Sequence, residues 1–196
     1  QIEQFERNVH NRFNKVDEDN RKIIGLLEEQ SSLDAGRLIF GSRPDIVGAD
    51  RFVERGEEEQ LNALFNEPNC ERTVLVGMRG CGKTQLAAAL AHTCEEAQWS
   101  LVAWLNAGSR AQLDGEFVEL ARKLKIDLSD EPDQEQIVVR CIEHLRDADA
   151  SDRLIVLDNV VDIEDLRDRI PRGTGLRVVA TTTSREADWE ENGWKG

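Results

Sequence analysis

The stretch 74-VLVGMRGCGKTQLA-87 decides the fold. Val74 to Val76 is a short apolar run that reads as a buried strand. Gly77, Gly80 and Gly82 follow, then Lys83 and Thr84, and a helix-forming run continues from Gln85 to Ala91. A strand that breaks into glycines and restarts as a helix presents free backbone N–H groups at the positive end of a helix dipole, which is an anion site. Residues Gly77 to Thr84 satisfy GxxxxGK[ST] in full, between a strand and a helix as that phosphate loop requires. The glycines let the backbone curl around phosphate oxygens. Lys83 is the candidate for the β/γ-phosphate oxygens and Thr84 for Mg²⁺.

A phosphate loop needs a carboxylate on the metal side. Leu154-Ile155-Val156-Leu157-Asp158 supplies one, four apolar residues ending in an acid. An acid at the carboxyl end of a parallel strand points into the crevice where ligands collect in such sheets. Asp158 is therefore the second candidate Mg²⁺ residue. Many hydrolytic ATPases place a glutamate directly after this aspartate to polarise the attacking water. This chain has Asn159, which takes no proton at neutral pH, so hydrolysis is expected to be slow. Another strand ends Thr181-Thr182-Thr183-Ser184-Arg185, hydroxyls and an arginine suited to sensing a terminal phosphate.

The sequence between these motifs alternates strands and helices. Apolar runs at Thr73–Val76, Ser100–Asn106, Arg153–Val160 and Leu176–Thr182 predict strands. Helical patterns run from Lys83 to about Ala97 and over 110–124 and 133–148, and a short amphipathic helix over 57–65 places Leu61, Leu64 and Phe65 on one face. The expected fold is α/β, with three layers and a mainly parallel sheet covered on both sides. Residues 31–50 carry Gly, Ser, Pro and Asp and read as a connector. Before them, Ile2, Val9, Val16 and Ile23 recur every seven residues, with Arg12 and Asp19 interrupting the seam. Two readings of this N-terminal helical segment stay open: a short coiled coil or linker helix, and a helix docked on the flank of the core. The expected organisation is an N-terminal helix and connector over 1–49 and a nucleotide-binding core over 50–196.

Bulk properties narrow the partners. The chain has 196 residues, with 25 basic and 39 acidic side chains and a net charge of −14. That balance argues against binding of nucleic acid. A nucleotide still fits, because a phosphate loop acts over a few ångström. No run of about 18 apolar residues predicts a membrane span, and no signal peptide is recognisable. Cys70, Cys81, Cys94 and Cys141 lack metal-site spacing and read as reduced cytoplasmic thiols. The start at Gln1 suggests a piece of a longer protein.

These motifs together resemble the STAND class of signalling ATPases, close to the NB-ARC nucleotide-binding domains of bacterial regulators. GMRGCGKTQLA is similar to the family's phosphate loop, LIVLDNV to its Walker B strand and VVATTTSR to its sensor strand. Trp104-Leu105-Asn106-Ala107 matches the second-strand pattern. Phe52-Val53-Glu54-Arg55 resembles the segment that leads the chain past the adenine, with Glu54 where the pattern has glycine. The resemblance implies a sheet of order 5-1-4-3-2, counted from the phosphate-loop strand, with the sensor strand between the phosphate-loop and Walker B strands. It implies ATP and ADP as ligands with Mg²⁺. Contacts would come from Val53, Arg55, Gly80, Cys81, Gly82, Lys83, Thr84 and Gln85, with Lys83, Asp158 and Arg185 as the catalytic set. It further implies an ADP-held closed state that opens on exchange for ATP, with slow hydrolysis, flanking effector and sensor domains, and a homo-oligomer on activation. A working AAA-type ATPase that remodels a partner is the alternative.

Overall fold

The structure is a computed structural model that describes residues 37–45, 61, 63, 65, 71–129, 133–148 and 152–195. Five strands form one parallel sheet: β1 (Leu38–Phe40), β2 (Arg72–Val76), β3 (Leu101–Asn106), β4 (Arg153–Val160) and β5 (Leu176–Thr182). The helices are α1 (Lys83–Glu96), α2 (Arg110–Lys123), α3 (Gln134–Asp147) and the short α4 (Glu186–Glu190), with a 3₁₀ turn at Ile163–Leu166. The four strands and three longer helices expected from the sequence are all present, with ends within one or two residues of the predicted ones. The seven-residue pattern near the N-terminus lies outside the described residues.

The sheet is buried on both faces, so its strands are apolar without alternation. In β4, Leu154, Ile155, Val156 and Leu157 are each fully buried. Leu154 and Val156 pack with Ala87, Ala88, Leu90 and Ala91 of α1, whose small side chains let that helix lie close to the sheet. Leu61 and Phe65, both helical, are buried in the same layer; Leu64 lies outside the described residues. Ile155 and Leu157 face the opposite layer, formed by Leu113, Phe117 and Leu120 of α2 and Val138, Cys141 and Leu145 of α3. Each Leu, Ile, Val and Phe among these contributes about 1.5–3 kcal/mol on burial. The result is the three-layer arrangement that the alternating pattern predicts.

Helices α2 and α3 start with ordinary capping chemistry. Ser109 accepts from the Gln112 N–H at the start of α2, and Asp133 accepts from the Gln136 N–H at the start of α3. Helix α1 begins at Gly82, which offers no side-chain cap.

The strand order is β1-β3-β4-β5-β2. Counted from the phosphate-loop strand β2, the expected 1-4-3-2 run is present, and β5 lies between β2 and β4. The fifth strand differs from expectation. It is β1, at the far edge beside β3, and its source is the stretch read as a connector. The connector reading is corrected there: Leu38 donates its N–H to Ser100 O at 2.9 Å and pairs with Leu101 in register. Three apolar residues in a polar setting are too short a run to announce a strand. On the other edge, Lys195 makes a parallel bridge with Thr73, at the position next to β2 where the expected order puts its fifth strand.

A buried ion group ties the second layer together. Arg169 is 1% exposed; its Nε donates to Asp114 of α2 at 2.6 Å, and its guanidinium also reaches Glu135 of α3. Burial works to lower the Arg169 pKa, but the hydrogen bonds to both carboxylates raise it above the ordinary value. Among the described residues no helix is long and apolar enough to cross a membrane.

Candidate functional site

The carboxyl ends of β2, β4 and β5 converge on the loop between β2 and α1. Gly80 and Gly82 adopt φ of 81° and 101°, left-handed values that favour glycine. A Cβ at either position would meet nothing within 4 Å, so backbone conformation and not crowding selects glycine. The first turn of α1 holds no acidic residue, and its N-cap, Gly82, has no side chain to cap it. A helix start of this kind, with the positive end of the dipole behind it, favours an anion.

Lys83 folds back over the loop. Its Nζ donates to Gly77 O at 2.8 Å and Met78 O at 2.9 Å, with Cys81 Sγ at 3.8 Å. Its neighbour Thr84 donates from Oγ1 to Asp158 Oδ1 at 3.0 Å, across 74 residues of sequence. The structure thus brings the two candidate metal residues together. Both offer hard oxygen donors, which suits Mg²⁺. Among the described residues no cluster of three or more His, Cys, Asp or Glu could hold a metal by itself.

Asp158 and Asn159 lie in a β-bulge. Leu157 pairs with Ala180 and Val160 with Thr182, so two residues of β4 stand opposite Thr181 alone. Asn159 takes φ 67°, a left-handed value that asparagine tolerates better than most residues. Its N–H donates to Thr181 Oγ1 at 2.9 Å, and that hydroxyl donates to Asp158 Oδ1 at 2.6 Å.

The hydroxyls of Thr181, Thr182 and Ser184 have partners within the protein. Thr181 holds the carboxylate. Thr182 donates to Val160 O at 2.8 Å, and Ser184 accepts from Trp189 Nε1 at 2.6 Å. Since the Thr182 proton goes to a carbonyl, the Ser184 hydroxyl must be the donor in the 2.8 Å bond between the two. These groups anchor the buried Trp189 to the end of β5. Arg185 caps α4 through its backbone and is exposed on the same edge of the sheet.

Gln85 donates from Nε2 to Asp45 O at 3.3 Å, tying the first turn of α1 to the chain after β1. Cys81 is exposed in the loop. Val53 and Arg55 lie outside the described residues. A nearby cleft of about 310 Å³, lined by Asp162, Glu164, Asp188 and Glu191 among others, is acidic and offers phosphate no welcome. The Thr181 role was missed because it depends on the register between two distant strands. The one sequence signal was a threonine just inside the end of an otherwise apolar strand.

The NB-ARC domain model matches residues 53–191, well over half of the chain. The chain belongs to the NB-ARC family. No curated protein matches it. NB-ARC domains are nucleotide-binding ATPase modules of signalling proteins that bind ATP or ADP, and the match spans the phosphate loop, Asp158 and the Thr181–Arg185 run.

Proposed function

We propose that this NB-ARC domain is the ATP/ADP-binding switch of a signal-transduction ATPase, with slow hydrolysis. Exchange of ADP for ATP would control assembly or effector activation. The observation that carries this reading is the pair Asp158–Asn159. Asp158 reaches the phosphate-loop Thr84, as a metal-side acid should, while the next residue has no carboxylate to activate water and has its backbone in the left-handed region. Such a site is built to hold a nucleotide longer than to turn it over.

In this reading the N–H groups around Gly80, Cys81, Gly82, Thr84 and Gln85 cradle the phosphates, and Lys83 neutralises them. The weak contact of Lys83 with the Cys81 sulfur is the one that an anion would replace most easily. Thr84 and Asp158 hold Mg²⁺, which when bound neutralises phosphate charge. Arg185 senses the terminal phosphate, and Val53 and Arg55 line the adenine. A difference in affinity for ATP and ADP between two arrangements of the protein would drive the switch as a population shift. Effector and sensor domains, a homo-oligomer on activation and a cytoplasmic setting complete the proposal.

Steady-state ATP turnover tests it. A rate well below about 1 per second, the low end of ordinary enzymes, is expected. A faster rate would favour the partner-remodelling ATPase instead.

A further inference from the structure

Asp158 is held from two sides. Thr84 of α1 and Thr181 of β5 both donate to its Oδ1, at 3.0 and 2.6 Å. Thr181 is 1% exposed, and the direction of its hydrogen bonds is fixed by chemistry. The Asn159 N–H can only donate, so it occupies a lone pair of Thr181 Oγ1. The single hydroxyl proton is then left for the carboxylate, which can only accept.

We propose that Thr181 is a positioning residue of the metal–nucleotide site, its hydroxyl aimed by the Asn159 N–H and fixing the rotation of the Asp158 carboxylate. This rests on the nucleotide-binding reading above. With Oδ1 committed to two hydroxyl donors, Oδ2 has no protein donor among the described residues and is left for the metal side. The bulge is part of the device. Two residues of β4 oppose Thr181, and the left-handed turn at Asn159 brings its N–H onto the same hydroxyl that the preceding carboxylate uses. Without the hydroxyl, the Asn159 N–H and the carboxylate each lose a partner, and among the described residues Thr84 is the side-chain donor that remains to Asp158. A group that orients a metal-side acid affects the gain in nucleotide affinity that Mg²⁺ provides; a group that only packs affects stability.

The test is calorimetric titration of ATP, with Mg²⁺ and with a chelator, on wild type, Thr181→Val and Thr181→Ser, with thermal unfolding of each. The quantity read is the ratio of affinities with and without metal. Thr181→Val is expected to cut that ratio about tenfold, the usual size of a hydrogen bond to a charged group. Thr181→Ser, which keeps the hydroxyl, is expected to stay within about twofold of wild type. Should Thr181→Val not fold, Thr181→Ala removes the same hydroxyl and carries the same expectation. A wild-type ratio in a folded Thr181→Val or Thr181→Ala protein would overturn the proposal, as would a Thr181→Ser ratio as low as that of Thr181→Val. Failure of the underlying reading is recognised separately: wild type itself would bind no nucleotide or gain nothing from Mg²⁺, and this proposal would fall with it.

Discussion

Thr84 Oγ1 lies 3.0 Å from Asp158 Oδ1, so the first turn of α1 and the end of β4 meet at a single carboxylate oxygen. The contact joins a helix to the strand two places away from β2 in the sheet, with β5 between them. A bound Mg²⁺ would find a hydroxyl and a carboxylate already side by side. Asp158→Ala is therefore expected to remove most of the Mg²⁺-dependent gain in ATP affinity and much less of the metal-free affinity, by roughly a hundredfold against twofold. Equal losses in paired titrations with and without metal would take Asp158 out of that role.

Asn159 is where the sequence departs most from a hydrolytic site, and its backbone gives a second reason for the residue. At φ 67° asparagine and glycine are tolerated, whereas a longer side chain costs roughly 1–2 kcal/mol. Asn159→Gly should leave the thermal midpoint nearly unchanged, and Asn159→Glu should lower it by several degrees. A glutamate variant as stable as wild type would show that the bulge does not select the residue.

The Arg169 ion group makes a stability prediction far from the site. Arg169→Met removes the cation that faces Asp114 and Glu135. Asp114 is only 14% exposed and would be left without this partner, while Glu135 at 59% can turn to solvent. The expected loss is about 2–4 kcal/mol, toward the lower end for broken buried pairs, measured by denaturant unfolding. A loss under about 0.5 kcal/mol would mean that the group is dispensable, as surface pairs usually are.

Two buried thiols predict alkaline behaviour. Burial pushes Cys94 and Cys141 up to about 12 from 9.0, with Arg177 opposing the shift at Cys94. Between those values the unfolded chain has lost these protons and the folded protein keeps them, so the folded state binds more protons and stability falls as pH rises from 9 toward 12. Below pH 9 both states are protonated and the thiols contribute no slope. Unfolding curves across this range should be steeper in pH for wild type than for a Cys94→Ala/Cys141→Ala variant. Parallel pH profiles would count against the shifts.

Much of this fold was legible because its signals are local. RLIVLDNV is apolar without alternation, as a strand buried on both faces must be, and the glycines of the loop mark the break between β2 and α1. The pairing of Thr84 with Asp158 followed from the same motifs. What escaped notice depends on distant partners. Leu38–Phe40 is too short to stand out and becomes a strand only because β3 has an open edge. The bulge at Asp158–Asn159 exists only relative to the register of β5, so neither the left-handed backbone of Asn159 nor the commitment of Thr181 to the carboxylate can be read from one strand. The ion group at Arg169 joins three separate segments, none of which signals it alone.

If the domain is the proposed switch, the loop from Gly77 to Thr84 holds nucleotide tightly enough for ADP to keep it off. Calorimetric titration of ADP, with and without Mg²⁺, on wild type and Lys83→Ala tests it most directly. Wild type is expected to bind ADP tightly with the metal or without it, and Lys83→Ala not at all. No binding by wild type, or equal binding by Lys83→Ala, would contradict it.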